Sequence, residues 1–275
     1  MSKGYSLHIG LNAVDPNHYA GWDGELNACE ADAHSMQEIA TSQGFESTLL
    51  LTQNAKRQVF LDTMVEYANK LQAGDIFMLT YSGHGGQLPD MNGDEDDGLD
   101  ETWCLFDAQI IDDEIYNHYC LFKAGVRILV FSDSCHSGTV AKVLAFKAMT
   151  ASISIQQQPV YRNAPLEVTF KTFTKNKDFY TKILKVPNAP KNSLQASVSL
   201  FSGCQDNQLS QDGFFNGLFT SKLLRVWADG NFKGNYLEFY KKIVKSMNDT
   251  PSQTPNHFVI GPKDMVFENQ EPFTI

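Results

Sequence analysis

RILVFSDSCHSGT (residues 127–139) carries an apolar strand directly into Asp133, Ser134, Cys135, His136, Ser137 and Gly138. A buried strand ending on a thiol flanked by an acid, a histidine and two serines has two readings. Either the loop happens to contain a cysteine, a residue often buried when free, or the sheet edge holds a nucleophile. A second strand ends in a similar way, DIFMLTYS (75–82) running into Gly83-His84-Gly85-Gly86. In open α/β sheets ligands bind just beyond the carboxyl ends of the strands. If these two strands are parallel neighbours, His84 and Cys135 emerge side by side, an imidazole within reach of a thiol it can deprotonate.

Working outward, strands and helices alternate, the pattern of an α/β domain around a mostly parallel sheet. YSLHIGLN, STLLLT, DIFMLTYS, RILVFSD, SVSLFSG and HFVIG read as strands. Helical patterns fall near 25–43, 55–73 (with Asn54 as N-cap), 113–123, 213–229 and 235–248. Residues 139 to about 196 break the rhythm with weak periodicity and late prolines, and LEVTFKTF within them alternates well enough for an extra hairpin. The expected organisation is one domain, 1–275, with a large first part (1–140), a basic insertion (141–195) and a smaller last part (196–275).

The 275 residues carry a net charge of −10, which excludes nucleic acid and anionic membrane as main partners. No apolar run reaches the ~18 residues of a membrane span. The N-terminus enters a strand with no signal-peptide core, so a cytoplasmic location is expected. Five scattered cysteines and no CxxC pair argue against a disulfide framework and against structural zinc. Charge is unevenly distributed: residues 90–114 hold eleven acids and no Lys or Arg, while 141–191 hold nine Lys or Arg against Glu167 and Asp178.

The glycines beside His84 suit acyl transfer, because backbone N–H groups must reach a developing oxyanion and glycine allows close approach. Gly85 N–H and Cys135 N–H are the candidate donors. No G-x-S-x-G elbow supports a serine hydrolase. No second ligand stands at helical spacing beside His84 for a metal. His136 adjoins Cys135 along an extended chain and points to the opposite side, so it is the weaker base. Asp133 lies two residues before Cys135, and Ser82 two before His84, so each shares its partner's side. Cys29 and Asp32 are three apart on one predicted helix face.

YSGHGGQ, followed by DSCHSGT, resembles the metacaspases, a family of caspase-like cysteine peptidases. NGDEDDGLDE, IIDDE, SGCQDNQLSQDGFFNGLFT and QTPNHFVIG have the same look, so the resemblance runs from the first strand to the last and omits only the basic segment. It implies a caspase-like three-layer α/β sandwich whose mostly parallel central sheet is flanked by helices, with Cys135 as nucleophile and His84 as its partner. It maps Cys29, Asp32, Ser82 and Asp133 onto a pocket selective for Arg or Lys, which charge supports, since a basic side chain requires carboxylates. It also implies calcium as an activator, with Asp100, Asp112 and Asp113 as ligands. Lys142 stands where the family has a further acid, and an ammonium donates no lone pair. No cofactor is expected to take part in the chemistry itself.

The expected function is therefore a cysteine endopeptidase cutting after Arg or Lys, made as a zymogen. The basic insertion would block the cleft until cut at one of Lys142, Lys147, Arg162, Lys171, Lys175, Lys177, Lys182 or Lys185, or until displaced by a partner or an ion. Expected partners are proteins or peptides with exposed Arg or Lys and an activating protein, and the resemblance implies a monomer. The rival readings are a catalytically silent binding module of the same fold, or a non-peptidase thiol hydrolase, which needs neither Asp32 nor Asp133.

Overall fold

A computed structural model describes residues 2–93, 98–134, 160–190, 192–204, 210–213, 215–248 and 253–275. The main sheet comprises β1 (Gly4–Gly10), β2 (Glu46–Leu51), β3 (Ile76–Ser82), β7 (Arg127–Asp133), β8 (Ser197–Ser202) and β9 (Asn256–Ile260), ordered β2-β1-β3-β7-β8-β9. All neighbours pair parallel except β8 and β9. A small antiparallel sheet, β4 (Gly85–Pro89), β5 (Leu99–Cys104) and β6 (Gln109–Ile111), leaves the end of β3. Its short first strand, GGQLP, begins on two glycines and ends on a proline, residues that strand propensity disfavours.

Alternation along the central strands builds both faces at once. Phe77, Leu79, Ile128 and Val130 pack with Phe60 and Met64 of α2 (Arg57–Lys70) and Ile115 of α3 (Asp112–Tyr119). Met78, Leu129 and Phe131 face the other way, against Met36 and Ile39 of α1 (Cys29–Ser42). The same face is covered by Phe219 and Leu223 of α6 (Leu218–Trp227) and by Phe239 and Ile243 of α7 (Tyr236–Ser246). The result is the expected three-layer sandwich. Gly10 is required where α1 meets the sheet, because a Cβ there would lie 2.3 Å from the Cys29 carbonyl oxygen.

The six expected sheet strands lie within one or two residues of their sequence boundaries, but the hairpin over LEVTFKTF does not form. Leu166–Lys175 is a helix, α4, followed by α5 (Lys177–Ile183) and, at the far end of the chain, α8 (Met265–Asn269). Thr169 and Thr172 of α4 are buried and Phe173 is packed beside Tyr180, a face spaced three and four apart rather than two. The first helical turn of α2 begins at Arg57 after Lys56, not at an Asn54 cap. No helix among the described residues is long and apolar enough to cross a membrane.

His8, at the centre of β1, is fully buried. Its Nδ1 is 2.9 Å from Thr80 Oγ1, and burial lowers its pKa to about 3. The unfolded chain takes up this proton below about pH 6.5 while the fold refuses it until about pH 3, so the stabilisation is complete above 6.5 and is lost as pH falls between those values. Urea denaturation at pH 8 and pH 5 is expected to show wild type losing about 2 kcal/mol more than His8→Gln over that interval; equal losses would exclude the assignment.

Candidate active site

Beyond the sheet's carboxyl edge the register places Ser82 beside Asp133, with Gly10 on the other side of Ser82. Both side chains continue the face covered by α1, so Asp32, one turn into that helix, meets them: Ser82 Oγ donates to Asp32 Oδ2 at 2.7 Å. Cys29 is buried at the start of the same helix, and burial pushes its thiol up to about 12, leaving it neutral. The four residues expected around one pocket are thus neighbours. Cys135 and His136 lie outside the described residues, as do Lys142 and Lys147.

His84 follows β3 after a single glycine and is 5% exposed. Its Nε2 is 3.0 Å from the Gly24 carbonyl oxygen, and because a carbonyl can only accept, this nitrogen carries the proton. Nδ1 keeps its lone pair and has no hydrogen-bond partner among the described residues. The Trp22 ring covers the imidazole, with centroids 4.7 Å apart. Burial holds His84 down to about 4, partly opposed by the Gly24 carbonyl. From below, Tyr81 Oη donates to the His84 carbonyl at 2.7 Å, its ring stacked on Trp103.

The pocket is filled from within the chain by Arg162, which is 0% exposed. Its Nη2 lies 2.7 Å from Asp32 Oδ2 and 2.9 Å from Asp212 Oδ1; its Nη1 lies 3.1 Å from Asp133 Oδ2 and donates to Ser82 Oγ at 2.9 Å and to the Asp133 carbonyl at 3.1 Å. The guanidinium rests on the backbone of Gly217, where a Cβ would come within 2.6 Å of it. Three carboxylates around one cation leave negative charge to be held by hydrogen bonds. Asp32 Oδ1 accepts from Asn216 Nδ2 and Gly217 N, both at 2.9 Å. Asp133 accepts from Ser210 Oγ, Thr220 Oγ1 and Thr220 N. Asp212 accepts from the amides of Asn27 and Ala28. Burial nonetheless raises the Asp32 carboxyl above its usual range, with Asp133 adding to the rise against Arg162, while the surrounding carboxylates hold Arg162 firmly charged.

The backbone around Arg162 is extended and paired on both sides. Arg162 N donates to Ser210 O at 3.0 Å and Asp212 N to Val160 O at 2.9 Å, an antiparallel match to residues 210–212. On the other side Gly85 N donates to Arg162 O at 3.0 Å, and Ala164 N to Gly85 O at 2.7 Å. Segment 160–164 therefore lies extended between the start of β4 and residues 210–212, bridged to each by backbone hydrogen bonds. A cavity of about 300 Å³ lies elsewhere, between α7, α8 and β9, lined by Tyr236, His257 and Glu268.

Asp100, Asp112 and Asp113 also converge, each offering an oxygen within 4.8 Å of the others, with Asp100 and Asp113 buried. Three hard oxygens so close are donors of the kind a cation such as calcium takes.

Sequence reading missed Asp212, Asn216, Ser210 and Trp22, and left Arg162 as one of nine basic residues. The strand-end argument applied to β8 would have pointed to SGCQDNQLSQDGFFNG, the stretch carrying Ser210, Asp212 and Asn216. Trp22 had no comparable signal, because it reaches His84 only through the long loop before α1.

The fold, with an acidic pocket and a histidine loop at its carboxyl edge, defines a caspase-type cysteine peptidase. The chain belongs to the caspase domain family, whose profile matches residues 13–265. It is 31% identical to Metacaspase-1 of Schizosaccharomyces pombe over 96% of this chain and 69% of that one. Metacaspase-1B of Neosartorya fischeri is 28% identical over 91% of this chain and 67% of its own. The chain thus spans about two thirds of the length of these relatives. A crystal structure of a protein from Geobacter sulfurreducens superposes with a TM-score of 0.90 at 52% identity, covering 99% of both chains. Caspase-1 of Spodoptera frugiperda shares the fold at 11% identity, with a TM-score of 0.54, 94% of this chain and 86% of that one covered.

Removing only the cation from the pocket isolates its contribution. Arg162→Met is expected to cost about 3–5 kcal/mol at pH 8, since it leaves buried carboxylates facing one another. The cost shrinks at pH 5, because burial raises the Asp32 carboxyl and so eases its uptake of a proton in the fold. Urea denaturation at the two pH values measures this; a cost that is small, or equal at both, contradicts the charge argument.

Proposed function

We propose that the protein is a cysteine endopeptidase that cuts after Arg or Lys and is held inactive by its own residue 162. The observation that carries this reading is Arg162 itself: its guanidinium satisfies the acidic pocket while its carbonyl oxygen receives Gly85 N–H. A substrate residue before a cut bond requires both contacts. Asp32, Asp133 and Asp212 with Ser82 supply specificity, and Gly85 N–H, joined by Cys135 N–H, the oxyanion donors.

In the chemistry that follows, His84 Nδ1 takes the Cys135 thiol proton and the thiolate adds to the carbonyl carbon of the basic residue. The tetrahedral oxyanion is held by the two amides. It collapses as the C–N bond breaks, with the imidazolium proton passing to the leaving amine. Water, deprotonated by the same imidazole, then hydrolyses the thioester and releases the carboxylate. Gly24 fixes the tautomer throughout, and Trp22 keeps bulk water off the ring.

Applied to the chain's own Arg162, the same steps cut Arg162–Asn163 and open the pocket. Wild type is expected to convert to two fragments, the second beginning Asn-Ala-Pro-Leu on N-terminal sequencing, while Cys135→Ala stays full length. Cutting only at another basic residue would remove Arg162 from this role. Active enzyme is expected to cleave fluorogenic Arg peptides at least 100-fold faster than Asp peptides, and Asp133→Ala to abolish that difference; faster Asp cleavage sinks the specificity.

Calcium would be held by Asp100, Asp112 and Asp113, where it neutralises their charge and supplies no step of bond cleavage. With Lys142 in place of a family acid, the chain brings three carboxylates. Thermal unfolding of Cys135→Ala is expected to rise by several degrees with millimolar calcium over EGTA, and Asp112→Asn to lose that rise; identical curves exclude the site.

A further inference from the structure

We propose a subsite for the second residue after the cut bond, formed by Val14, Tyr19, Trp22 and Cys104, that takes a small apolar side chain. The inference rests on reading segment 160–164 as an internal substrate. Counting from the bond after Arg162, Asn163 comes first and Ala164 second. Ala164 is 6% exposed, and its methyl group belongs to a cluster with Val14, Tyr19 and Cys104 against which Trp22 packs. Its main chain is equally held, Ala164 N–H donating to Gly85 O at 2.7 Å.

Gly85 thus grips both sides of the bond: its N–H takes the carbonyl before the cut and its C=O the N–H two residues on. This is a parallel bridge centred on Asn163. A side chain at position 164 must then enter the hollow, because the adjacent hydrogen bonds set its direction.

The walls are stiff. Val14, Tyr19 and Cys104 are each at most 2% exposed. Tyr19 Oη donates to the Leu105 carbonyl at 2.6 Å, which fixes the ring. Val14 N bonds Asp23 O at 2.7 Å and Trp22 N bonds Tyr19 O at 3.1 Å, which ties the loop to itself. A packed wall accepts one methyl and resists several more carbons. Trp22 also covers His84, so a bulky residue that displaced it would disturb the imidazole as well as the fit.

The test uses processed wild-type enzyme and an Ala164→Gly form, which lacks the chain's own competing methyl group. Both are given internally quenched peptides Val-Tyr-Arg-Asn-Xaa-Pro-Leu with Xaa as Ala, Ser, Leu or Trp. Ala and Ser are expected to exceed Leu and Trp by at least tenfold in kcat/KM, and N-methylalanine, which lacks the N–H for Gly85, to fall at least tenfold below Ala. Val14→Ala and, independently, Cys104→Ala are expected to restore cleavage of the Leu peptide. A spread below twofold across Xaa, with Arg still required before the cut, overturns the subsite alone. Equal cleavage when Arg is replaced by Asp overturns the underlying reading instead.

Discussion

Compensation of buried charge at the end of the central sheet constrains everything around it. Asp32, Asp133 and Asp212 cannot remain together ionised in an apolar interior unless a cation and a dense set of donors accompany them. Arg162 is that cation. The donors come from six other places in the chain: Ser82, Asn27–Ala28, Ser210, Asn216, Gly217 and Thr220. The pocket therefore joins the first half of the chain to the second. The loop after β8, the N-terminus of α6 and the start of α1 are held in one arrangement by whatever occupies it. A pocket of this composition is costly when empty, and here Arg162 fills it.

The planar guanidinium uses this arrangement fully. Nη1 reaches Asp133 while Nη2 reaches both Asp32 and Asp212, and Gly217 leaves a flat floor under the plane. A Lys ammonium is a compact charge on a flexible stem and cannot touch Asp32, Asp133 and Asp212 along those two directions at once. Backbone pairing adds registration to this recognition. With residues 210–212 on one side and Gly85 on the other, the extended segment can shift only by losing several hydrogen bonds together.

What could be read from the sequence divides along the same physical line. Local pattern carried the sheet: β7 matched RILVFSD residue for residue, and period-two alternation put Ser82 on the side of His84 and Asp133 on that of Cys135, which the strand register then brings together. Chemistry at strand ends singled out His84 and its glycines. What stayed hidden was nonlocal. Asp212 lies 180 residues from Asp32 in number, and no periodicity links the two. Arg162 resembles the other basic residues of the insertion until its partners are known. The segment 166–173 was misread because a short alternation of Thr and Phe fits a strand and one helical face equally well, and the helical face is the one that packs Phe173 against Tyr180, the buried residue of the adjoining helix, itself bonded to His18 Nε2 and Gln109 N.

Those last contacts bear on how the proposed inhibition could end. Lys175 and Asn176 bond the carbonyls of Asn17 and His18, so α4 and α5 are fastened to the loop that also carries Trp22. Breaking Arg162–Asn163 would leave these anchors intact, and residue 162 would lose its connection to them while staying joined to β7. Before cutting, the tether keeps Arg162 at an effective concentration of the order of millimolar or above, which an external peptide must exceed. After cutting, residue 162 ends in a carboxylate beside an already acidic pocket. It is then held from its N-terminal side alone, and like-charge repulsion opposes its return. Under this reading the same surplus of carboxylates first demands an occupant and then helps to expel it, so the acidity that selects a basic substrate also makes the release directional.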